Sequence, residues 1–312
     1  MVLETYNAPW DFELLDTGNG YRLERWGDAA PRTGGTTGTG VVLVRPDPQI
    51  IWPRSLPDNE WDKAFAVYKT GSDDTKGKWE IKKPLPEPWV IEFPMNPHPN
   101  PLPKGEGENV KFLLKLSPFK HTGLFAEQAA QWSWMQSRIK DKGLRILNLF
   151  AYTGGATMVL AKMGCQVTHV DASKPAITWA NQNHKLNNLP ADSVRWMLDD
   201  AVKFVKRELK RGAKYGGIIM DPPAFGHSPT GKTWKFNDGL PGLLADCIKL
   251  LSDDAKFLVI NGYATNSSAI AIHNLLEDAM KSKPGKIEFG ELCLSQKNSR
   301  LISTGIFARW WS

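Results

Sequence analysis

Leu144-Arg145-Ile146-Leu147-Asn148-Leu149-Phe150, followed by Ala151-Tyr152-Thr153-Gly154-Gly155, is the stretch on which the reading of this chain turns. A short apolar run enters a glycine turn, and residues 156–163 then carry the apolar spacing of an amphipathic helix. The order is strand, glycine turn, helix. A second apolar run, 166–170, ends on Asp171, at about the distance beyond the glycines where nucleotide-binding βαβ units place a ribose-binding carboxylate. Glycine permits close approach of backbone to a ligand, and a carboxylate accepts from two hydroxyls at once. An ordinary βα turn whose aspartate caps the next helix would use the same residues, so this segment alone leaves both readings open.

The alternation continues downstream. Strands are predicted at 144–150, 166–170, 193–198, 216–220 and 255–260, with helices at 154–163, 174–187, 200–211, 239–251 and 267–281. Such alternation implies a parallel sheet with helices on both faces. Strands at 286–293 and 301–309 have only a turn around Gln296-Lys297-Asn298-Ser299 between them, so an antiparallel pair is expected at the end of the sheet. Upstream, residues 126–140 carry a helical pattern.

The first hundred or so residues have a different texture. Residues 10–16 and 21–26 alternate apolar and polar side chains around Thr17-Gly18-Asn19-Gly20, the pattern of a β-hairpin with an Asn-Gly turn. Residues 41–44, 50–52, 89–93 and 110–116 read as further strands, and 31–40, 72–78 and 95–107 as loops. Residues 1–118 are therefore expected to form a small β-rich domain that presents a substrate or covers a sheet edge, and 119–312 the α/β domain.

A length of 312 residues suits two such domains. No apolar run reaches the length of a bilayer span, and Met1 to Thr5 shows neither a basic leader nor an apolar signal core, so a cytoplasmic protein is expected, with no membrane partner. Cys165, Cys247 and Cys293 are odd in number and widely spaced, which argues against a disulfide framework or a zinc knuckle; no metal is expected. A net charge of +6 mildly favours a polyanionic partner. Lys203, Lys206, Arg207, Lys210, Arg211 and Lys214 cluster on or just after one predicted helix, either as a solvated face or as a basic ridge beside a site.

Ligands of open α/β sheets bind at the carboxyl ends of strands. Four such ends here carry polar or glycine residues: Tyr152 to Gly155, Asp171, Asp199-Asp200, and Asp221-Pro222-Pro223-Ala224-Phe225. Asp200 alone would suit a helix N-cap equally well. Together with His121-Thr122-Gly123-Leu124-Phe125 upstream, these segments resemble the bacterial class I methyltransferases that modify 23S ribosomal RNA of the large subunit. The likeness covers about residues 110–312; the N-terminal part matches more loosely and shows no clear RNA-binding PUA module.

The resemblance implies a Rossmann-like doubly wound class I methyltransferase sheet with a C-terminal antiparallel strand pair, beside the smaller β-rich domain. It also implies S-adenosylmethionine as cofactor and RNA, most naturally ribosomal, as substrate. On that basis Phe150, Ala151, Tyr152, Thr153, Gly154 and Gly155 would cradle the methionine part of the cofactor. Asp171, with Ala172 and Ser173, would hold the ribose, and Asp199 or Asp200 the adenine amino group. Phe125 and Gln128 would close over the cofactor, although Phe125 could equally be core. Asp221, Pro222, Pro223 and Phe225 would face the acceptor, Asp221 touching the cofactor side as well, with Asn261 and Tyr263 in the acceptor pocket.

In enzymes that methylate amino nitrogens, the aromatic residue follows the proline pair directly. Here Ala224 intervenes, an offset the resembling RNA enzymes share, which leaves the target atom open. Methylation of cytosine carbon 5 needs a thiolate, which family members carry after the fifth strand. Residues 260–265 hold none, which favours a nitrogen, then an oxygen, as acceptor. A methyltransferase of a protein or small molecule, a non-catalytic RNA-binding protein of this fold, and a dehydrogenase remain as alternatives. The dehydrogenase is disfavoured because the turn lacks the full G-x-G-x-x-G pattern.

Overall fold

The computed structural model describes residues 1–27, 40–71, 77–95, 109–140, 142–227 and 233–312. All but the last residue of the loop expected at 31–40, all but the first of that at 95–107, and most of that at 72–78 lie outside the described residues.

Among the described residues, eight strands form the main sheet: β1 (Val2–Glu4), β9 (Arg145–Leu149), β10 (Gln166–Asp171), β11 (Val194–Leu198), β12 (Gly217–Met220), β15 (Phe257–Gly262), β16 (Lys286–Ser295) and β17 (Leu301–Trp311). Their spatial order is β1-β16-β17-β15-β12-β9-β10-β11. The pairs from β11 to β15 are parallel, and β17 runs antiparallel to both β15 and β16. The C-terminal antiparallel pair is thus present, but β17 inserts beside β15 and β16 is not an edge. Val2–Glu4, at the start of the region expected to be a separate β-rich domain, pairs in parallel with β16.

Side chains of the central strands alternate between two apolar cores, as a strand's period of two requires. Ile146, Ile219, Phe257 and Val259 face one core, with Trp132, Met135, Met158 and Leu160 from α2 (Ala129–Gln136) and α3 (Gly155–Lys162). Leu147, Leu149, Ile218, Met220, Leu258 and Ile260 face the other, with Phe204, Leu244 and Leu276 from α5 (Ala201–Lys210), α6 (Phe236–Leu250) and α7 (Ala269–Met280). The helix expected over 126–140 is shorter: a single 3-10 turn at Ala126–Gln128 leads into α2.

The N-terminal region holds a five-stranded sheet of β2 (Phe12–Gly18), β3 (Tyr21–Trp26), β4 (Val41–Pro46), β5 (Ala66–Thr70) and β6 (Gly77–Ile81) in that order, with the one-turn α1 (Asp58–Trp61) between β4 and β5. The Asn-Gly hairpin is as expected: Asn19 and Gly20 have φ of 52° and 80°, the left-handed pair a two-residue turn needs. Residues 50–52 are not a strand. Their carbonyls instead accept from the turn, Asn19 N to Trp52 O at 2.7 Å and Gly20 N to Ile50 O at 2.8 Å.

A separate antiparallel pair, β7 (Trp89–Pro94) with β8 (Asn109–Leu114), lies against α4 (Lys174–Leu186). Asn183, together with Asn187 just past the helix, satisfies the edge of β8: Asn187 Oδ1 accepts from Lys111 N at 2.7 Å and Asn183 Oδ1 from Leu113 N at 2.9 Å. Paired in this way, the edge offers no template to another strand. The N-terminal sheet is pinned to the β16–β17 turn by Gln296, which accepts from Thr17 Oγ1 at 2.8 Å and donates to Asp16 at 2.8 Å. No helix among the described residues is long and apolar enough to cross a membrane.

Candidate active site

The strand order reverses between β9 and β12, and a cleft of about 800 Å³ opens there at the carboxyl ends of the strands. Its floor is acidic: Asp171, Asp199, Asp200, Asp221 and Glu127 line it, with Phe125, Phe150, Tyr152, Ala172, Ser173, Pro222, Pro223, Phe225 and Tyr263. A narrower inner cavity of about 60 Å³ shares Phe125, Phe150, Tyr152 and Asp221 with it, and adds Ala151, Thr153, Gly155, Gln128 and Asn261.

The turn after β9 is built on three left-handed residues, Phe150 (φ 56°), Tyr152 (φ 50°) and Gly154 (φ 86°). Two of them pay the strain of a side chain in that region, on the order of 1–3 kcal/mol each. The surroundings hold them there. Asn183 Nδ2 donates to Thr153 O at 3.0 Å, and Thr153 Oγ1 donates to Gly123 O. Gly154 lines neither cavity; it is required for its φ. Gly155 is required for packing, since a Cβ there would lie 2.7 Å from the Trp132 ring.

Asp171 does not cap a helix. Its Oδ2 accepts from Tyr152 N and its Oδ1 from Ser173 N, each at 2.8 Å, while Ser173 caps α4 through Ala176 N at 3.3 Å. Burial pushes the Asp171 carboxyl up, against the two N–H groups that lower it. Asp200 caps α5, accepting from Lys203 N at 3.0 Å, and still lines the cleft. Asp199 accepts from Arg207 and, at 2.8 Å, from Asp200 N. The basic residues of α5 are exposed, and Arg211 pairs with Glu208 at 2.9 Å, so this is a solvated helix face.

Behind Asp221 runs a buried line of hydrogen bonds. Arg309 Nη1 donates to Gln131 Oε1 (2.9 Å), Gln131 Nε2 to Asn261 Oδ1 (3.1 Å), and Asn261 Nδ2 to Gln128 Oε1 (3.4 Å). Gln128 Nε2 then donates to Asp221 Oδ2 (3.1 Å) and Tyr263 Oη (2.8 Å). The guanidinium fixes the sense of every amide, so Gln128 can only donate at its far end. Asp221 Oδ1 is buried and has no hydrogen-bond partner among the described residues. Burial, then the charge of Glu127, raises its carboxyl to about 7. Asn261, 1% exposed, thus sits one layer behind the cleft, whereas Tyr263 reaches it.

Gln131 and Arg309 escaped sequence reasoning, although Gln131 follows Gln128 at helical spacing. Arg309 is 2% exposed and also bonds Glu4 at 2.8 Å and Glu288 at 2.9 Å. Arg309→Met is expected to cost about 1–2 kcal/mol, because the buried Gln131 loses its donor while the partly exposed glutamates regain water; chemical denaturation checks it.

After Pro223 the chain forms a hairpin not foreseen from the sequence, β13 (Phe225–His227) with β14 (Thr233–Lys235). Trp234 Nε1 donates to Pro223 O at 2.8 Å and its ring lies 5.3 Å from that of Phe150, bracing the proline pair. Phe225 stands 69% exposed at the mouth.

The strand order, the antiparallel β17 and the acidic strand ends define a class I methyltransferase sheet. A family profile for S-adenosylmethionine-dependent methyltransferases matches residues 105–291, and the chain belongs to that family. The crystal structure of the SAM-dependent methyltransferase from Agrobacterium tumefaciens superposes with a TM-score of 0.84 at 36% identity, covering 100% of this chain and 93% of that one. Ribosomal RNA large subunit methyltransferase K/L of Shewanella sp. (strain MR-4) is 33% identical over 154 residues, 48% of this chain and 21% of that protein. Ribosomal RNA large subunit methyltransferase I of Enterobacter sp. (strain 638) is 34% identical over 121 residues, 38% of this chain and 30% of that protein. The matches therefore span less than a third of these two curated relatives.

The residues present fit the family's cofactor, S-adenosylmethionine. The cleft has the size of a nucleotide-type site, its acidic floor suits a cation, and Asp171 keeps unused lone pairs beyond its two backbone bonds. Among the described residues no group of three or more His, Cys, Asp or Glu is disposed to hold a metal ion.

Proposed function

We propose that this protein methylates a base nitrogen of RNA, most naturally ribosomal RNA, in the cytoplasm. The observation that carries this reading is Asp221 Oδ1: a buried, unpartnered acceptor at the cleft beside the rigid Pro222-Pro223 pair. A nitrogen acceptor offers the N–H that this oxygen lacks. When bound, S-adenosylmethionine supplies an electrophilic methyl on a sulfonium. Asp221 would accept the N–H of the incoming base, raise the nitrogen's electron density, and take the proton as the N–C bond forms and the methyl–sulfur bond breaks, the sulfur leaving as a neutral thioether. Phe225, exposed at the mouth, stacks on the base, for which about 1–3 kcal/mol is typical.

Asp171 holds the ribose hydroxyls, and Asp200 or its neighbour Asp199 accepts from the adenine amino group; all three line the cleft. Phe125, 5.8 Å from the Tyr152 ring and 5.5 Å from that of Tyr263, lines both cavities. Residues 1–118, apart from Val2–Glu4, form the part that presents the acceptor. No cysteine lines the cleft among the described residues; Cys165 and Cys247 are buried thiols pushed well up by burial. This supports nitrogen over cytosine carbon 5.

The test is transfer of labelled methyl from S-adenosylmethionine to protein-free 23S ribosomal RNA, followed by nucleoside mass spectrometry. An N-methylated base is expected. Label in protein or metabolite fractions with RNA unlabelled, or a carbon-methylated product, overturns the reading.

A further inference from the structure

The wall of the cleft facing the strand ends comes from the N-terminal sheet and the segment before α2: Arg22, Asp47, Gln49, Lys120 and His121. Arg22 is 8% exposed, and its Nε and Nη1 are buried with no hydrogen-bond partner among the described residues. The nearest carboxylates pair with it in charge but complete no hydrogen bond to these nitrogens. Glu24, 3.4 Å from Arg22 Nε, is taken by Arg45 through two bonds of 2.7 and 2.8 Å and by Trp26 Nε1 at 3.2 Å. Asp47 lies 3.9 Å away and accepts from Gln49 N at 3.2 Å. Glu24, Glu127 and Asp47 keep the guanidinium charged despite its burial. A buried charge with unmade hydrogen bonds costs free energy unless a ligand completes it. The same cleft holds the opposite deficit, Asp221 Oδ1, an acceptor without a donor. A ligand that satisfies both must carry an N–H at one end and an oxyanion at the other.

We propose that Arg22, with Lys120 beside it, forms an oxyanion subsite for the phosphate of the acceptor nucleotide, so that the N-terminal sheet grips the backbone while Asp221 takes the base. This rests on the nucleic-acid reading given above. Arginine suits the task because its planar fork of donors matches phosphate oxygens. Because the phosphate is common to every nucleotide, the subsite positions the acceptor and does not select its sequence. The phosphate can belong to a phosphodiester of RNA or to a free mononucleotide.

The test measures equilibrium binding to protein saturated with S-adenosylhomocysteine. The probes are a short single-stranded RNA of mixed sequence, the four nucleoside 5′-monophosphates and the four nucleosides. Arg22→Gln is expected to weaken at least one phosphate-bearing probe by about tenfold or more, the size of one charge-assisted hydrogen bond, and to leave nucleosides unchanged. Arg22→Lys, which keeps the charge and is a second variant should the first fold poorly, should recover part of the loss. Affinity for S-adenosylhomocysteine should be unaffected by either variant.

The proposal is overturned if phosphate-bearing probes bind no better than nucleosides, including no measurable binding of any probe, or if the variants leave them unchanged. It is also overturned if S-adenosylhomocysteine weakens in parallel, because the oxyanion is then the cofactor's own carboxylate. A response confined to the RNA assigns a phosphodiester; a response to mononucleotides assigns a free phosphate. If RNA takes no label while mononucleotide binding still depends on Arg22, the RNA-methylation reading fails and the subsite stands.

Discussion

Exchanging Asp221 for asparagine is expected to lower the rate of methyl transfer by about 10²–10⁴-fold, the range for loss of a positioned proton acceptor, while S-adenosylhomocysteine binding is nearly retained. An amide cannot replace this carboxylate, for a reason that lies behind it. Gln128 presents a donor to Oδ2, and the line through Asn261 and Gln131 to Arg309 prevents it from turning over. An asparagine oxygen can meet Gln128 or the acceptor N–H, not both. With the carboxyl raised to about 7 by burial and by Glu127, kcat/KM of the wild type should climb as pH rises through about 7, and the variant should lack that limb.

Stability should move in the opposite direction. A carboxyl whose folded value lies above its unfolded one binds more protons in the native state across that window. The wild type therefore loses stability as pH rises from the ordinary aspartate range towards 7. The melting difference between Asp221→Asn and wild type should shift in the variant's favour from about pH 5 to about pH 8. A variant that is inactive because it is unfolded would show no cooperative melting transition at either pH. Unchanged kcat would remove Asp221 from the chemistry.

Asp171→Ala should weaken S-adenosylmethionine and S-adenosylhomocysteine alike by about ten- to a hundredfold, the loss of one charge-assisted interaction with the ribose. An ionised carboxylate offers about four lone-pair sites, and Tyr152 N and Ser173 N use two of them. The remaining ones are available to hydroxyls. The same two backbone bonds tie the turn after β9 to the end of β10, so some destabilisation accompanies the change. Asp171→Asn keeps one acceptor oxygen and should fall between alanine and wild type. Calorimetry with S-adenosylhomocysteine decides it without needing the acceptor. Affinity within about twofold of wild type, less than any such interaction contributes, would show that Asp171 only holds the turn.

The parts of this site legible in the sequence are those where one strand meets the next turn. The glycine turn, Asp171, Asp199-Asp200 and the Asp221 segment each follow a short apolar run of the length of a buried parallel strand, so each announces its own strand end. The β13–β14 hairpin gave no such sign, because two three-residue strands are too short to show a period. Residues 50–52 illustrate the reverse: their apolar run looks like a strand, but the hairpin turn occupies their carbonyls.

Local spacing by itself determined the βα alternation, the reversal into a terminal antiparallel pair and the polar strand ends, because hydrophobic period and turn chemistry act over a few residues. Only the tertiary structure decided that β17 slots between β15 and β16, that Val2–Glu4 extends that edge, and that Arg309 reaches across 178 residues to orient Gln131. It also decided that Arg22, from an otherwise ordinary hairpin strand, closes the far wall of the cleft. These contacts join segments distant along the chain, and their energetics arise from burial and from unmet hydrogen bonds, quantities that exist only once the layers have packed.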